Sequence, residues 1–353
     1  LSRSAAKRIS GSNKRVKPKK TSHRINRRTS RLRKRGLRTS KRLFRGRRTG
    51  KRGFFARASV PLAQPELTAA LPQNESEVSA LTAKVPLVGI LFSKDRALQL
   101  DAALRSLYLH ALDISSAQIK VLYTTSNAFY EAQYDRLKAS FPQVQFIREE
   151  QFRQQILAAI ENSHYVMFIV DDCLFVRDFT LQSVMNTLAA HGDLLGFSLR
   201  LGPNIRYCYT MDAPQAIPAY QSIEYGYCKF DWTAAQHEFG YPLEVSSSVY
   251  RTDDLLSHLQ QLDFSNPNTF EGIMAGNARG IAAGRHYLAC NEASFAFCNP
   301  LNLVQNVYAN RAVNKQEYSS HELALLFENG NRIDVTRYTN LIPEACHQHV
   351  AIF

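Results

Sequence analysis

The residues best suited to chemistry stand where apolar runs end. Phe168-Ile169-Val170 leads straight into Asp171-Asp172-Cys173, and Ile90-Leu91-Phe92 into Ser93-Lys94-Asp95-Arg96. A third apolar run, 118–123, ends in Thr124-Thr125-Ser126-Asn127. Paired carboxylates after an apolar strand suit a hard divalent cation. Oxygen ligands there can hold Mg2+ or Mn2+ and leave coordination positions for phosphate oxygens. The same pair also serves as a turn cap with a solvated neighbour. A nucleotide-triphosphatase needs a phosphate loop, and Gly46-Arg47-Arg48-Thr49-Gly50-Lys51 is one residue short of GxxxxGK with no strand before it. A phosphatase of the DxDx(T/V) type needs an acid where Cys173 stands. What is left is a metal–diphosphate site without a phosphate loop.

The elements that must position these residues follow from the apolar patterning. Strand-like runs at 86–92, 118–123, 144–148 and 165–170 alternate with helical spacing over 98–110, 129–141 and 150–162, and a fifth strand ends at Arg200. This alternation predicts an α/β domain with a mostly parallel central sheet flanked by helices. Ligands of such sheets bind at the carboxyl ends of the strands, where the polar runs stand.

The run from Ile90 through Ser93-Lys94-Asp95-Arg96 to Leu107, followed by Phe168-Ile-Val-Asp-Asp-Cys-Leu-Phe175, resembles the nucleotide-sugar glycosyltransferases of the GT-A fold, in the style of the family-2-like enzymes. The resemblance covers about 87–200 well and the rest loosely. It implies a single GT-A-like domain over 85–353, with a nucleotide-sugar-binding half (85–200) and an acceptor and catalytic half (201–353). Asp172 would be the metal ligand, for Mn2+ or Mg2+, bridging the two phosphates of a nucleotide-diphosphate sugar. Asp171 would lie nearer the ribose and base, and Ser93, Asp95 and Arg96 would line the nucleotide pocket. Thr124 belongs to the end of strand two, where many relatives place an acid against uracil, so the base is left open. Cys173 in the third motif position gives the shorter "DD" form used by some members.

Inverting members also need a carboxylate that takes the acceptor's proton. In the family it follows a small-residue segment, here Ser246-Ser247-Ser248, and the matching acid is Glu271 in the turn Asn268-Thr269-Phe270-Glu271-Gly272. Its alternative role is that of a helix N-terminal carboxylate downstream of Asn266-Pro267. Asp253-Asp254 is the rival pair, placed to cap the helix it opens. Arg200 is positioned to meet the diphosphate or to lie on the surface. Trp232, the only tryptophan, suits either a sugar face or the core. His286, His321 and His347 are candidates to complete a metal shell.

The charge is split along the chain. Of the 44 Lys and Arg residues 24 lie in 1–57, a stretch without acids, so 58–353 carries 20 basic residues against 30 acidic ones. A uniformly basic nucleic-acid-binding fold is thereby excluded. Residues 1–57 lack the apolar content to fold and read as a disordered Arg/Lys-rich tail. Its partner would be an anionic surface, membrane or nucleic acid. A Pro/Ala linker follows over 58–84. The six scattered cysteines, with no CxxC and no apolar leader, read as cytoplasmic, with peripheral membrane attachment through the tail.

The leading expectation is metal-dependent, inverting transfer of a sugar to an acceptor of unknown kind: glycan, lipid or protein. A sugar-phosphate nucleotidyltransferase is the alternative enzyme, disfavoured because Ser93-Lys94-Asp95-Arg96 has no glycine to wrap a triphosphate. A non-catalytic, polyanion-tethered binding protein is the third reading, and the presence of both Asp171 and Asp172 argues against it.

Overall fold

The computed structural model describes residues 84–302 and 318–353. The basic segment 1–57 and the linker up to residue 83 lie outside the described residues. The first half is a run of strand–helix units: β1 (Val85–Lys94), α1 (Ala97–His110), β2 (Ala117–Thr124), α2 (Ala128–Ser140), β3 (Gln145–Arg148), α3 (Phe152–Ile160) and β4 (Ser163–Val170). A short strand β5 (Cys173–Phe175), α4 (Leu181–Ala190) and β6 (Leu194–Ser198) follow.

The chain then becomes irregular, with the small pair β7 (Tyr207–Cys208) and β8 (Ala213–Pro214) before β9 (Tyr220–Ser222) and β10 (Tyr227–Asp231). Regular structure resumes with β11 (Ser247–Arg251), α5 (Thr252–Leu259), α6 (Pro267–Gly276), α7 (Ala278–Ala282), β12 (Tyr287–Asn291) and β13 (Ala296–Cys298). Helix α8 (Ser320–Glu328) packs back on α1 and α2.

One sheet runs through both halves in the order β3-β2-β1-β4-β11-β6-β12-β10-β9. β1 pairs in parallel with β2 and β4, β2 with β3, and β6 with β12; β11 and β10 run against their neighbours. Reversed β11 matters most. It brings the start of one strand, Ser247, beside the carboxyl end of β4 at Ile169, and Ser248 beside Ser198 at the end of β6.

Side-chain alternation divides the core between the two faces. Leu87, Leu91, Val121, Met167 and Ile169 face α1, α2, α4 and α8. Val88, Ile90, Phe92, Leu122, Val166 and Phe168 face α3, α5, α6 and α7. Strands buried on both faces are near-continuous apolar runs, which is why they could be read directly. Gly196 lets β6 lie against its neighbour: a Cβ there would come 2.6 Å from the Tyr250 ring. Helix starts carry their own signals, with Asn127 capping α2, Thr180 capping α4, and capping boxes at Asn266/Thr269 and Ser319/Glu322.

Candidate active site

Two polar clusters form at the carboxyl edge of the sheet. The first joins the ends of β1 and β4. Asp171 lies just past β4, and both its oxygens are engaged: Ser93 Oγ donates to one at 2.8 Å and Arg96 Nη1 to the other at 2.9 Å. The same Arg96 nitrogen reaches Asp172 at 3.3 Å, while Nη2 donates to the Asn302 carbonyl. Tyr134 OH, fully buried on α2, lies 2.6 Å from Ser93 Oγ and accepts the Arg96 backbone N–H at 3.3 Å. Burial works against the Arg96 cation, but Asp171 and Asp172 outweigh it and raise its pKa, so the guanidinium stays charged.

Asp95 turns away from this cluster. It adopts a left-handed backbone at φ 55°, a region that Asp tolerates better than most residues. From there its carboxylate accepts the Ser126 backbone N–H at 2.7 Å and the Ser126 hydroxyl. The tip of β1 is thereby tied to the tip of β2. Thr124 itself is partly exposed and lies in register with Lys94, without a side-chain hydrogen bond among the described residues. Beside it a groove of about 380 Å³ is lined by Ser126, Asn127, Glu131 and Arg148. Glu131 accepts hydrogen bonds from Tyr123 and Thr125 and pairs with Arg148. Burial works to raise the Glu131 pKa, and these partners reverse that and hold it low. Two acids, Glu131 from α2 and Asp95 from the β1 loop, thus stand at the end of β2.

The second cluster lies across β11. Arg200, two residues past β6, is 2% exposed; Nη1 donates to Glu238 at 2.6 Å, and Nε lies 3.3 Å from Glu244. The expected contact of Arg200 with a diphosphate is therefore corrected: its guanidinium is buried and occupied by two carboxylates. Glu244, just before β11, also accepts from the Ser246 N–H and the Ser248 hydroxyl.

Glu271, part-buried on α6, feels the charges of this cluster. Burial, and then the Glu244 charge, push it up to about 7 against the pull of Arg200. Glu271 does not stand in a turn. Asn266 and Thr269 start α6 with Pro267 in its first turn, so the acid sits on a rigid helix, one turn in. One strand separates the tips of β4 and β6, roughly 10 Å, so the two clusters are neighbours on one edge.

Other expectations find different outcomes. Trp232 is a core residue, 5% exposed, whose indole N–H donates to the Arg285 carbonyl at 2.9 Å. Asp253 and Asp254 make no cap; they pair with Lys84 at 2.6 Å and with Arg285 at 3.0 Å. His286 and His321 are exposed and apart from both clusters' hydrogen bonds, whereas His347 Nδ1 lies 3.9 Å from Glu238. Residues missed in the sequence are Tyr134, Glu238, Glu244 and Asn302. Of these only Glu244, two residues before the small-residue segment, had a sequence signal.

No group of three or more His, Cys, Asp or Glu side chains that could hold a metal occurs among the described residues. Asp172 does suit a magnesium-type ion that takes one carboxylate and draws its other ligands from phosphates and water. Its side chain is 16% exposed, and its one side-chain hydrogen bond among the described residues is the long one from Arg96. Among those residues no helix is long and apolar enough to cross a membrane.

No family model matches the chain. In sequence it is 28% identical to the bifunctional glycosyltransferase pgtA of Dictyostelium discoideum, over 68% of this chain and 37% of the relative. The chain thus spans about a third of the curated relative's length. Among solved structures, TarS residues 1–349 of S. aureus with UDP-GlcNAc aligns at 13% identity over 66% of this chain and 62% of that one, TM-score 0.41. The mannosyltransferase PcManGT of Pyrobaculum calidifontis, solved with GDP-Man and Mn2+, aligns at 11% identity over 60% and 58%, TM-score 0.36. The chain is thus similar in sequence to a glycosyltransferase, and its fold is α/β with a large sheet between two helical layers.

Proposed function

We propose that this chain transfers a sugar from a nucleotide-diphosphate sugar to an acceptor hydroxyl with inversion. The observation that carries the reading is the meeting, on one sheet edge, of the Asp171–Arg96–Asp172 cluster with an acid of raised pKa, Glu271. Asp171, held by Ser93 and Arg96, and Asp95, held by Ser126, present fixed carboxylates to the ribose and base side of the donor. Asp172 is the residue that would hold Mn2+ or Mg2+. A divalent cation bound there supplies charge neutralisation to the departing diphosphate.

Glu271 takes the acceptor's proton as the acceptor oxygen attacks the anomeric carbon and the bond to the diphosphate breaks. A carboxyl near pH 7 combines a useful ionised fraction with enough basicity for this task. Arg96 stays with the aspartates and keeps their charge from spreading them apart.

The six cysteines are all free and buried, which supports a reducing, cytoplasmic setting. The 24 basic residues of 1–57 would tether the enzyme to an anionic membrane or nucleic acid. The test is a transfer and donor-hydrolysis screen across nucleotide sugars, with Asp172→Ala in parallel. Turnover with one donor that collapses in the variant supports the reading. Mn2+-dependent turnover that survives Asp172→Ala would show the site to be misassigned.

A further inference from the structure

Tyr134 is a core aromatic that turns its polar end to the site. Its ring stacks on that of Tyr123, at the end of β2, with centroids 4.6 Å apart and planes 14° from parallel. A phenylalanine would make the same contact. The hydroxyl is what needs a reason, because burying one is unfavourable unless it finds hydrogen-bond partners. Its partners stand at the tip of β1: Ser93 Oγ at 2.6 Å and the Arg96 backbone N–H at 3.3 Å.

The direction of these bonds follows from the groups at either end. Asp171 accepts Arg96 Nη1 on one oxygen and the Ser93 hydroxyl on the other. Serine has a single hydroxyl proton, so with it aimed at Asp171 the Ser93 oxygen accepts from Tyr134. Tyr134 in turn accepts the Arg96 N–H. Burial, and then the Asp171 charge, raise the Tyr134 pKa, so the phenol keeps the proton that this direction requires. The chain of bonds closes on itself, from the Arg96 backbone through Tyr134, Ser93 and Asp171 to the Arg96 guanidinium. All of it is buried; Arg96, the most exposed member, is at 8%. Asp172 stands outside the ring, touched only by the 3.3 Å contact from Arg96.

We propose that Tyr134 is the positioning residue of the aspartate pair: by closing this ring from α2 it holds the Asp171 carboxylate and the Arg96 guanidinium in one arrangement, and so leaves the Asp172 carboxylate available to a cation. The role rests on the reading of this cluster as the donor-diphosphate site. The phenol's own place is set by the frame. On α2, Glu131 accepts the Tyr123 hydroxyl at 2.9 Å, and Gln133 donates to the Ala324 carbonyl of α8 at 2.9 Å.

The experiment is titration calorimetry of UDP and of GDP with Mn2+ into the full chain, for wild type, Tyr134→Phe, Ser93→Ala and the double variant. Tyr134→Phe keeps the stacked ring and loses the hydroxyl, and nucleotide binding is expected to weaken about fivefold to tenfold, as for one lost buried hydrogen bond. In Ser93→Ala the phenol has already lost its route to Asp171, so adding Tyr134→Phe should weaken binding less than about twofold further. Tyr338→Phe removes another buried hydroxyl, one that donates to the Ala351 carbonyl at 2.5 Å outside the ring, and reads what destabilisation alone does. Unchanged affinity in Tyr134→Phe, losses that simply add with Ser93→Ala, or an equal loss in Tyr338→Phe would each overturn the role and leave the site reading standing. If Tyr134→Phe does not fold, Ser93→Ala cuts the same link from β1, and unchanged affinity there overturns the role. Wild-type protein that binds neither nucleotide in a Mn2+-dependent way would instead overturn the reading of the cluster, and this role with it.

Discussion

Glu271→Gln should make the protein more stable and nearly inactive at the same time. The carboxyl is held at about 7, against about 4.3 for an ordinary glutamate. Between those values the native state keeps a proton that the unfolded chain has lost. Stability contributed by the neutral carboxyl is thus fully present below about pH 4.3 and is lost as pH rises toward 7. The side chain is partly exposed, so the cost of the ionised form at pH 8 is set at about 3 kcal/mol, below the full linkage value.

Glutamine carries no such cost. Its melting temperature should exceed that of wild type by about 5 °C at pH 8 and match it near pH 4.5. Transfer should fall by about 10²–10⁴-fold, the usual contribution of a general base. Wild-type kcat/KM should rise with pH up to about 7 and then level off. Thermal unfolding followed by circular dichroism, with a product assay at matched pH, reads both effects. A variant as active as wild type, or no more stable at pH 8, would refute the assignment of a strained base on α6.

The two buried guanidinium groups give further tests. Arg96→Ala leaves Asp171, 4% exposed, beside Asp172 without a cation, and should cost about 3–5 kcal/mol in urea unfolding. A loss below 1 kcal/mol would mean that the Arg96–Asp171 pair is not the bridge between β1 and β4. Arg200→Met strands Glu238 and Glu244 and should cost a similar 3–5 kcal/mol; it should also raise the Glu271 midpoint, visible as a shift of the kcat/KM acid limb to higher pH. Deleting 1–57 should abolish salt-sensitive sedimentation with anionic vesicles or nucleic acid, and retention of that binding would assign it to the folded body instead.

Much of the first half was legible because its strands are buried on both faces. A run such as Val88-Gly-Ile-Leu-Phe92 has no other explanation in a chain of this composition, and the polar residues after it mark the carboxyl edge without ambiguity. Asp171 and Asp172 could be found for that reason alone. The second cluster was hidden. Arg200 after a strand reads as a surface or ligand-binding residue, because nothing local announces that Glu238 and Glu244 will close over it from 38 and 44 residues away.

Those acids come from a stretch of short strands and turns between β6 and β11, where hydrophobic periodicity carries little information. Trp232 was open between a sugar face and the core for a related reason: its ring is amphipathic, and the Arg285 carbonyl that accepts its N–H lets it be buried. For α6 the start signal Asn266-Pro267 was present, yet Glu271 was expected in a turn. The glycines at Gly272 and Gly276 weaken the local helix propensity, and packing of Phe270 and Met274 supplies what propensity does not.

The most direct measurement is titration calorimetry of a nucleoside diphosphate such as UDP or GDP into the full chain, with and without Mn2+, for wild type and Asp172→Asn. Cation-dependent binding in wild type that disappears in Asp172→Asn, with the fold intact by circular dichroism, is the expected result. Binding indifferent to the cation, or unchanged by the substitution, would contradict a diphosphate grip at the tip of β4.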